Sequence, residues 1–289
     1  MDAKRFIMTV LNFKKQFFLK LSKLYPETEI QSFFNILIKY KLNLSRVELA
    51  LEPSLEFNIS DLDFFQKTLI DLKNQLPIQY IIGETEFYGL TFKVNNTVLI
   101  PRPETEELVD WILKDYNNAE NIKILDIGTG SGCIAISLAK NLPNAEVFAI
   151  DISSKAIKTA KLNAKNNNVT VNFIEADILK LNELPQKFDI IVSNPPYVRE
   201  LEKEQMQENV LAYEPSIALF VKNKKPLLFY NKISDLAKLF LTTNGSLFFE
   251  INQYLGTETV NLLKSKGFKN IELKKDLYQV ERMTKAFNN

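Results

Sequence analysis

Apolar residues recur at three- and four-residue steps through the first quarter of the chain. Phe6, Val10, Phe13, Phe17 and Leu21 form one stripe. Phe33, Ile36, Leu37 and Tyr40 form a second, and Leu62, Phe65, Leu69 and Leu72 a third. That period puts one apolar face on each of several helices. Pro26 and Pro53 interrupt it. Ser45 before Val47-Glu48 and Ser60 before Asp61-Leu62 read as helix starts, the latter with an acidic Asp63 three residues on. The pattern predicts a bundle of four or five helices up to about residue 75.

From Glu86 the period shortens to two. Glu86–Val94, then Asn95-Asn96, then Thr97–Ile100 predicts a hairpin turning at the two asparagines. Pro101-Arg-Pro-Glu-Thr-Glu106 is a stiff polar stretch, followed by a helix around Leu108–Lys114. Beyond it, strands and helices alternate. Strands are predicted at 122–128, 146–151, 171–177, 188–193, 246–251, 271–276 and 283–287. Helices are predicted at 133–141, from Ser153 to about Asn166, and at 226–241 and 256–266. Such alternation implies a mostly parallel, doubly wound α/β sheet.

Composition narrows the chemistry. The 289 residues suggest about two domains, and 46% hydrophobic with 25% charged residues is the balance of a globular protein. A net charge of +1 argues against a protein that coats nucleic acid, so no direct nucleic-acid partner is expected. Six Lys/Arg and no acid fall between residues 4 and 23, as a partner-binding face or a solvated one. The single cysteine, Cys133, fits a reducing compartment and reads as a small buried hydrophobe. No apolar run approaches the ~18 residues of a membrane span, and Asn12, Lys14 and Lys15 spoil the start as a signal peptide. A cytoplasmic protein is expected. Histidine is absent, which excludes histidine triads, shuttles and metal ligands; no metal is expected.

Chemistry concentrates at predicted strand ends. The apolar run 188–193 stops at Asn194-Pro195-Pro196-Tyr197, because two prolines cannot continue a ladder. Asn194 offers a side-chain acceptor, the Pro195 carbonyl a second at a fixed angle, and Tyr197 a flat apolar face. Those groups suit a planar –NH2; an ordinary turn is the plainer alternative. Gly128-Thr129-Gly130-Ser131-Gly132 joins a strand to a helix and holds three of the eight glycines. Its spacing is neither G-x-G-x-x-G nor a P-loop. Asp151 ends the next strand, where an acid accepts ribose hydroxyls. Asp177 ends the third, where an acid can take an adenine amine with Ile178 against the ring. Either aspartate could instead cap the following helix.

The series Asp126–Gly132, Asp151, Asp177 and Asn194-Pro-Pro-Tyr197 resembles the S-adenosylmethionine-dependent class I methyltransferases that act on an –NH2 nitrogen. Ile100–Glu106, Tyr80-Ile-Ile-Gly83, Phe87-Tyr-Gly89, Tyr213–Leu219, Phe249–Gln253 and Lys275-Asp-Leu277 narrow the resemblance to the HemK/PrmC family, over about residues 75 to 285. The chain departs from that pattern at Lys224-Lys225-Pro226-Leu227 and after Leu277.

The resemblance implies a Rossmann-like fold with a mostly parallel seven-stranded sheet. It implies a helical substrate-recognition domain over 1–85, a hairpin linker over 86–101 and a methyltransferase domain over 102–289. S-adenosyl-L-methionine is the implied cofactor, held by Gly128–Gly132, Asp151, Asp177, Ile178 and Asn194. Class 1 peptide chain release factors are the implied partners, methylated on the glutamine of their Gly-Gly-Gln loop. Asn194 and Pro195 would hold the amide hydrogens and Tyr197 would pack on the amide plane. Pro196, Glu104 and Thr105 would shape the pocket, unless the Pro101–Glu106 stretch only stiffens the hairpin exit. The alternatives are an adenine-N6 nucleic-acid methyltransferase, a ribosomal-protein glutamine methyltransferase and a non-catalytic adaptor on the same fold.

Overall fold

The computed structural model describes residues 8–288. Phe6, which opens the first apolar stripe, and the basic pair Lys4-Arg5 lie outside them. The chain divides into two compact units, Met1–Gly83 and Glu84–Asn289.

The first unit holds α1 (Val10–Leu21), α2 (Glu27–Leu42), α3 (Arg46–Leu51), α4 (Ile59–Lys73) and α5 (Ile78–Ile82). Caps set their starts. Ser45 and Glu48 form a reciprocal capping box on α3. The cap of α4 is Asn58, two residues before the predicted Ser60, and its side chain accepts the Asp61 N–H at 2.8 Å. Phe13, Phe17, Phe34 and Phe65 are fully buried, with edge-on contacts between Phe13 and Phe65 and between Phe17 and Phe34. Each such burial contributes roughly 1.5–3 kcal/mol. The predicted stripe on α2 is corrected. Its buried face is Ile30, Phe34, Leu37 and Ile38, while Ile36 and Tyr40 are exposed.

The second unit opens with β1 (Glu84–Phe87) and β2 (Leu90–Lys93). Their turn is Tyr88-Gly89, not Asn95-Asn96, and Thr97–Ile100 is not a strand. Both turn residues have positive φ, 49° and 70°, the twist that two-residue hairpins favour, and the glycine adopts it freely. Asn95 instead folds back to accept the Thr97 N–H at 2.9 Å. Phe87 and Phe92 enter the same core as Leu108 and Trp111, so the hairpin belongs to this unit.

The chain continues through α6 (Pro103–Tyr116), β3 (Lys123–Ile127), α7 (Cys133–Asn141), β4 (Glu146–Asp151), α8 (Ser154–Asn166), β5 (Asn172–Glu175) and β6 (Phe188–Ser193). Short elements follow that the periodicity does not predict: β7 (Val198–Arg199), a 3-10 turn over Glu200–Gln205, α9 (Glu208–Tyr213), α10 (Ser216–Leu219) and β8 (Phe220–Val221). The chain closes with α11 (Leu228–Phe240), β9 (Leu241–Glu250), α12 (Gly256–Ser265), β10 (Lys269–Lys275) and β11 (Glu281–Phe287).

The seven-stranded sheet has the order β10-β11-β9-β6-β3-β4-β5. Only β11 runs antiparallel to its neighbours. Strand period decides the two cores: Ile124, Ile190, Val192 and Phe248 face one, Leu125, Ile191, Leu247 and Phe249 the other. The direction of winding reverses between β3 and β6, and open α/β sheets bind ligands at the carboxyl ends beside such a reversal.

Candidate active site

The turn after β3 lies at that reversal. The N–H groups of Gly128 and Thr129 donate to the Ile150 carbonyl at 2.8 and 3.0 Å, and the Gly130 N–H donates to Asp151 Oδ2 at 2.8 Å. Two of its glycines serve different ends. Gly130 has φ 55°, and a side chain there would meet only open space. Gly132 has φ 84°, and a Cβ there would lie 2.7 Å from Ile136 Cδ1 and 3.1 Å from Ala160 Cβ. One faces the cavity; the other lets α7 pack closely on α8.

The cavity has a volume of about 290 Å³. Gly128, Gly130, Asp151, Asp177, Ile178, Asn194, Pro195 and Pro196 line it, with Thr97, Val98 and Leu99 and with Pro215, Ile217 and Ala218. Thr129, Ser131 and Gly132 do not. Thr129 turns inward to donate to Asp126 Oδ2 at 2.6 Å, and Ser131 is buried. Asp151 does not cap α8 through its side chain, and β5 is followed by a turn at Asp177 and no helix before β6. Ser153 caps α8, accepting the Ala156 N–H, while Asp151 Oδ1 accepts the Ser153 N–H at 2.9 Å. Asp177 Oδ1 accepts the Leu179 N–H at 3.0 Å, and Lys180 lies 3.2 Å from its Oδ2. Burial raises the Asp151 carboxyl against the lowering effect of the Ser153 and Gly130 amides. Burial also pushes Asp126 up to about 7, and its Oδ1 has no hydrogen-bond partner.

This set fits a nucleoside with a cationic tail. The glycine turn offers close backbone approach, Asp151 keeps lone pairs for ribose hydroxyls, and Ile178 is an apolar wall beside Asp177. Cys133 packs against the core, and burial pushes its thiol up to about 12, so it is no nucleophile at neutral pH. Among the described residues no group of three His, Cys, Asp or Glu side chains is arranged to hold a metal.

The opposite rim is assembled from distant segments. Asn194 Nδ2 donates to Thr105 Oγ1 at 3.3 Å, and that hydroxyl donates to Glu250 Oε2 at 2.6 Å. The Tyr197 hydroxyl donates to Glu250 Oε1 at 3.0 Å, and the Tyr230 hydroxyl to the Glu250 carbonyl at 3.1 Å. Asn252 Nδ2 donates to the Tyr197 carbonyl at 2.9 Å. Burial raises the Glu250 carboxyl, while the Thr105 and Tyr197 hydroxyls and Arg282 lower it. Burial, then the charge of Glu250, pushes the Tyr197 phenol far above its ordinary range. Thr105 and Tyr197 thus sit behind the cavity wall. Glu104 is half-buried in the first turn of α6 and does not line the cavity.

Sequence reasoning did not single out Glu250. Its signal is an acid ending the apolar run Leu247-Phe-Phe249, where a lone carboxylate demands donors. The charged run 200–208 turns one of its acids inward. Glu202 is buried, accepting from Asn252 and from Arg199, which spends its charge inside the chain. Arg102 pairs with buried Glu214, and Glu214 also accepts the Ile100 N–H at 3.2 Å. That ties the Pro101–Glu106 stretch to the Pro215–Ala218 wall of the cavity.

The family profile described as methyltransferase small domain matches residues 105–216. Among solved structures, a 16S rRNA N2 G1207 methyltransferase from T. Thermophilus aligns with a TM-score of 0.53 at 18% identity, over 71% of this chain and 50% of that one. That likeness is one of fold. A release factor glutamine methyltransferase of Bacteroides thetaiotaomicron is 39% identical over 92% of this chain and 95% of its own. Another, from Flavobacterium psychrophilum, is 56% identical over 96% of this chain and 99% of its own. With that identity over nearly its whole length, the chain belongs to the release factor glutamine methyltransferase family.

Proposed function

We propose that this chain methylates the side-chain amide nitrogen of the glutamine in the Gly-Gly-Gln loop of class 1 peptide chain release factors. S-adenosylmethionine is the donor; when bound, it supplies a methyl group on a sulfonium, which leaves as a neutral thioether. The observation that carries the reading is the position of Asn194 and Pro195. They share one cavity with Gly130, Asp151 and Asp177, all at strand ends on the same edge of the sheet. Gly128 and Gly130 admit the cofactor's backbone-facing edge, Asp151 takes the ribose, and Asp177 with Ile178 takes the base.

The chain's own work is alignment. An amide nitrogen shares its lone pair with its carbonyl and is a poor nucleophile. Asn194 Oδ1 and the Pro195 carbonyl accept its two hydrogens, turning the lone pair toward the methyl group. Near-attack alignment contributes up to roughly 7–11 kcal/mol in favourable cases. No side chain need remove a proton beforehand, in keeping with a chain that has no histidine. A nitrogen that has gained the methyl is acidic enough to lose its proton to water.

The helical unit is proposed to recognise the protein substrate. It is compact and has its own aromatic core. A chain starting at Glu84 should therefore bind cofactor yet methylate intact release factor poorly. The expected setting is the cytoplasm, with no membrane contact; no helix among the described residues is long and apolar enough to cross one.

The test is incubation with labelled S-adenosylmethionine and intact release factor, followed by mass spectrometric mapping. Label on the Gly-Gly-Gln glutamine is expected. Label on nucleic acid or on a ribosomal protein instead would replace this reading.

A further inference from the structure

Asparagine's two amide ends are nearly identical in shape, and only one is useful here. A cavity that accepts hydrogens from an –NH2 group needs Oδ1 facing it. With Nδ2 inward, donors would oppose donors. Nothing in the Asn194 side chain itself makes the choice.

We infer that Glu250 and Thr105 are positioning residues that set which way the Asn194 amide faces. This inference rests on the proposed role of Asn194. Glu250 is buried at the end of β9, and as a carboxylate it can only accept. Its Oε2 takes the Thr105 hydroxyl proton at 2.6 Å. Thr105, itself buried in the first turn of α6, has only one such proton. Its oxygen is then left to accept, and the Asn194 end at 3.3 Å must be the donor Nδ2. Oδ1 is thereby turned away from Thr105. The other carboxylate oxygen takes the Tyr197 hydroxyl at 3.0 Å, so one buried charge orients both polar side chains of Asn194–Tyr197. Reversing the polarity would require a proton on Glu250, which burial favours and the Thr105 and Tyr197 hydroxyls and Arg282 oppose, so the relay operates while Glu250 is ionised.

Thr105→Val keeps the shape of the side chain and removes the hydroxyl; Thr105→Ala relieves any crowding and tests the same point. Both should lower kcat about tenfold, the scale of one hydrogen bond, with S-adenosylmethionine affinity by calorimetry unchanged. Thr105→Ser should restore the rate. In an Asn194→Ala background the Thr105 changes should have no further effect, because their action runs through that amide. A wild-type kcat for both Thr105 variants beside an inactive Asn194→Ala enzyme would overturn the relay alone. So would a tenfold loss that repeats in the Asn194→Ala background. An Asn194→Ala enzyme as fast as wild type would overturn the relay and the proposed function together.

Discussion

The two rims of the cavity are built differently. The rim formed by Gly128, Gly130, Asp151 and Asp177, with the turn that carries its glycines, is local. Each element is a strand end followed at once by its turn, and its hydrogen bonds run to the neighbouring strand end: Gly130 to Asp151, Gly128 to Ile150. The rim around Asn194 is long-range. Thr105, Asn194 and Glu250 meet across separations of 89 and 145 residues, from α6, the end of β6 and the end of β9. The local rim, which is proposed to hold the cofactor, is expected to answer mainly in affinity. A long-range rim concentrates its purpose in one orientation and answers mainly in rate.

The sharpest break of that comparison is Asn194→Ala. It removes an acceptor that matters when the nitrogen moves toward the methyl group, so kcat should fall by about 10²–10³. Cofactor affinity should change far less, because the glycine turn, Asp151 and Asp177 are untouched. Stopped single-turnover assays alongside calorimetry separate the two; a matched loss of affinity would erase the distinction between the rims.

Next in size is a pair within the local rim. Gly132→Ala forces a Cβ into Ile136 and Ala160 at positive φ and should lower stability by roughly 2–4 kcal/mol, read as a drop in Tm. Gly130→Ala meets no atom and should cost only the strain of its φ, about 1–2 kcal/mol, while weakening cofactor binding. Equal thermal shifts from the two would show that the turn is uniform, against the split drawn here.

An effect of similar size, read in affinity and not in stability, is expected from Asp151→Ala. Losing a charged acceptor for ribose hydroxyls weakens such bonds by about 1.5–3 kcal/mol. The dissociation constant for S-adenosylmethionine should rise about tenfold to a hundredfold, with kcat at saturation little changed. Unchanged affinity in a folded Asp151→Ala protein would remove Asp151 from the nucleotide rim.

The same division explains what could be read beforehand. The strand ends at Asp151 and Ser193 and the span of α7 follow from period-two apolar runs and from punctuation by Gly and Pro, and the structure has them at those positions. The hairpin was misplaced because Asn95-Asn96 looks like a turn, whereas Tyr88-Gly89 makes it; the Gly89 φ and the Glu106 carboxylate on the Tyr88 N–H favour the earlier site. The buried face of α2 is rotated from the one the stripe predicts, since period alone does not choose between Ile36 and Ile38. The elements between β7 and β8 are too short to carry a period. They are held instead by Glu202 and Glu214, acids whose burial no local pattern announces.

The sequence alone determined the class of the fold, the strand ends where ligands gather and the residue types that could hold an –NH2 group. Those depend on backbone preference and apolar period, which act between near neighbours. Only the tertiary structure decided that Gly130 faces open space while Gly132 faces packed side chains, and that Thr105 and Tyr197 lie behind the cavity wall. It also made Glu250 the charge on which both depend. A buried carboxylate must find donors wherever the folded chain brings them, and here it found them in segments that the sequence keeps far apart.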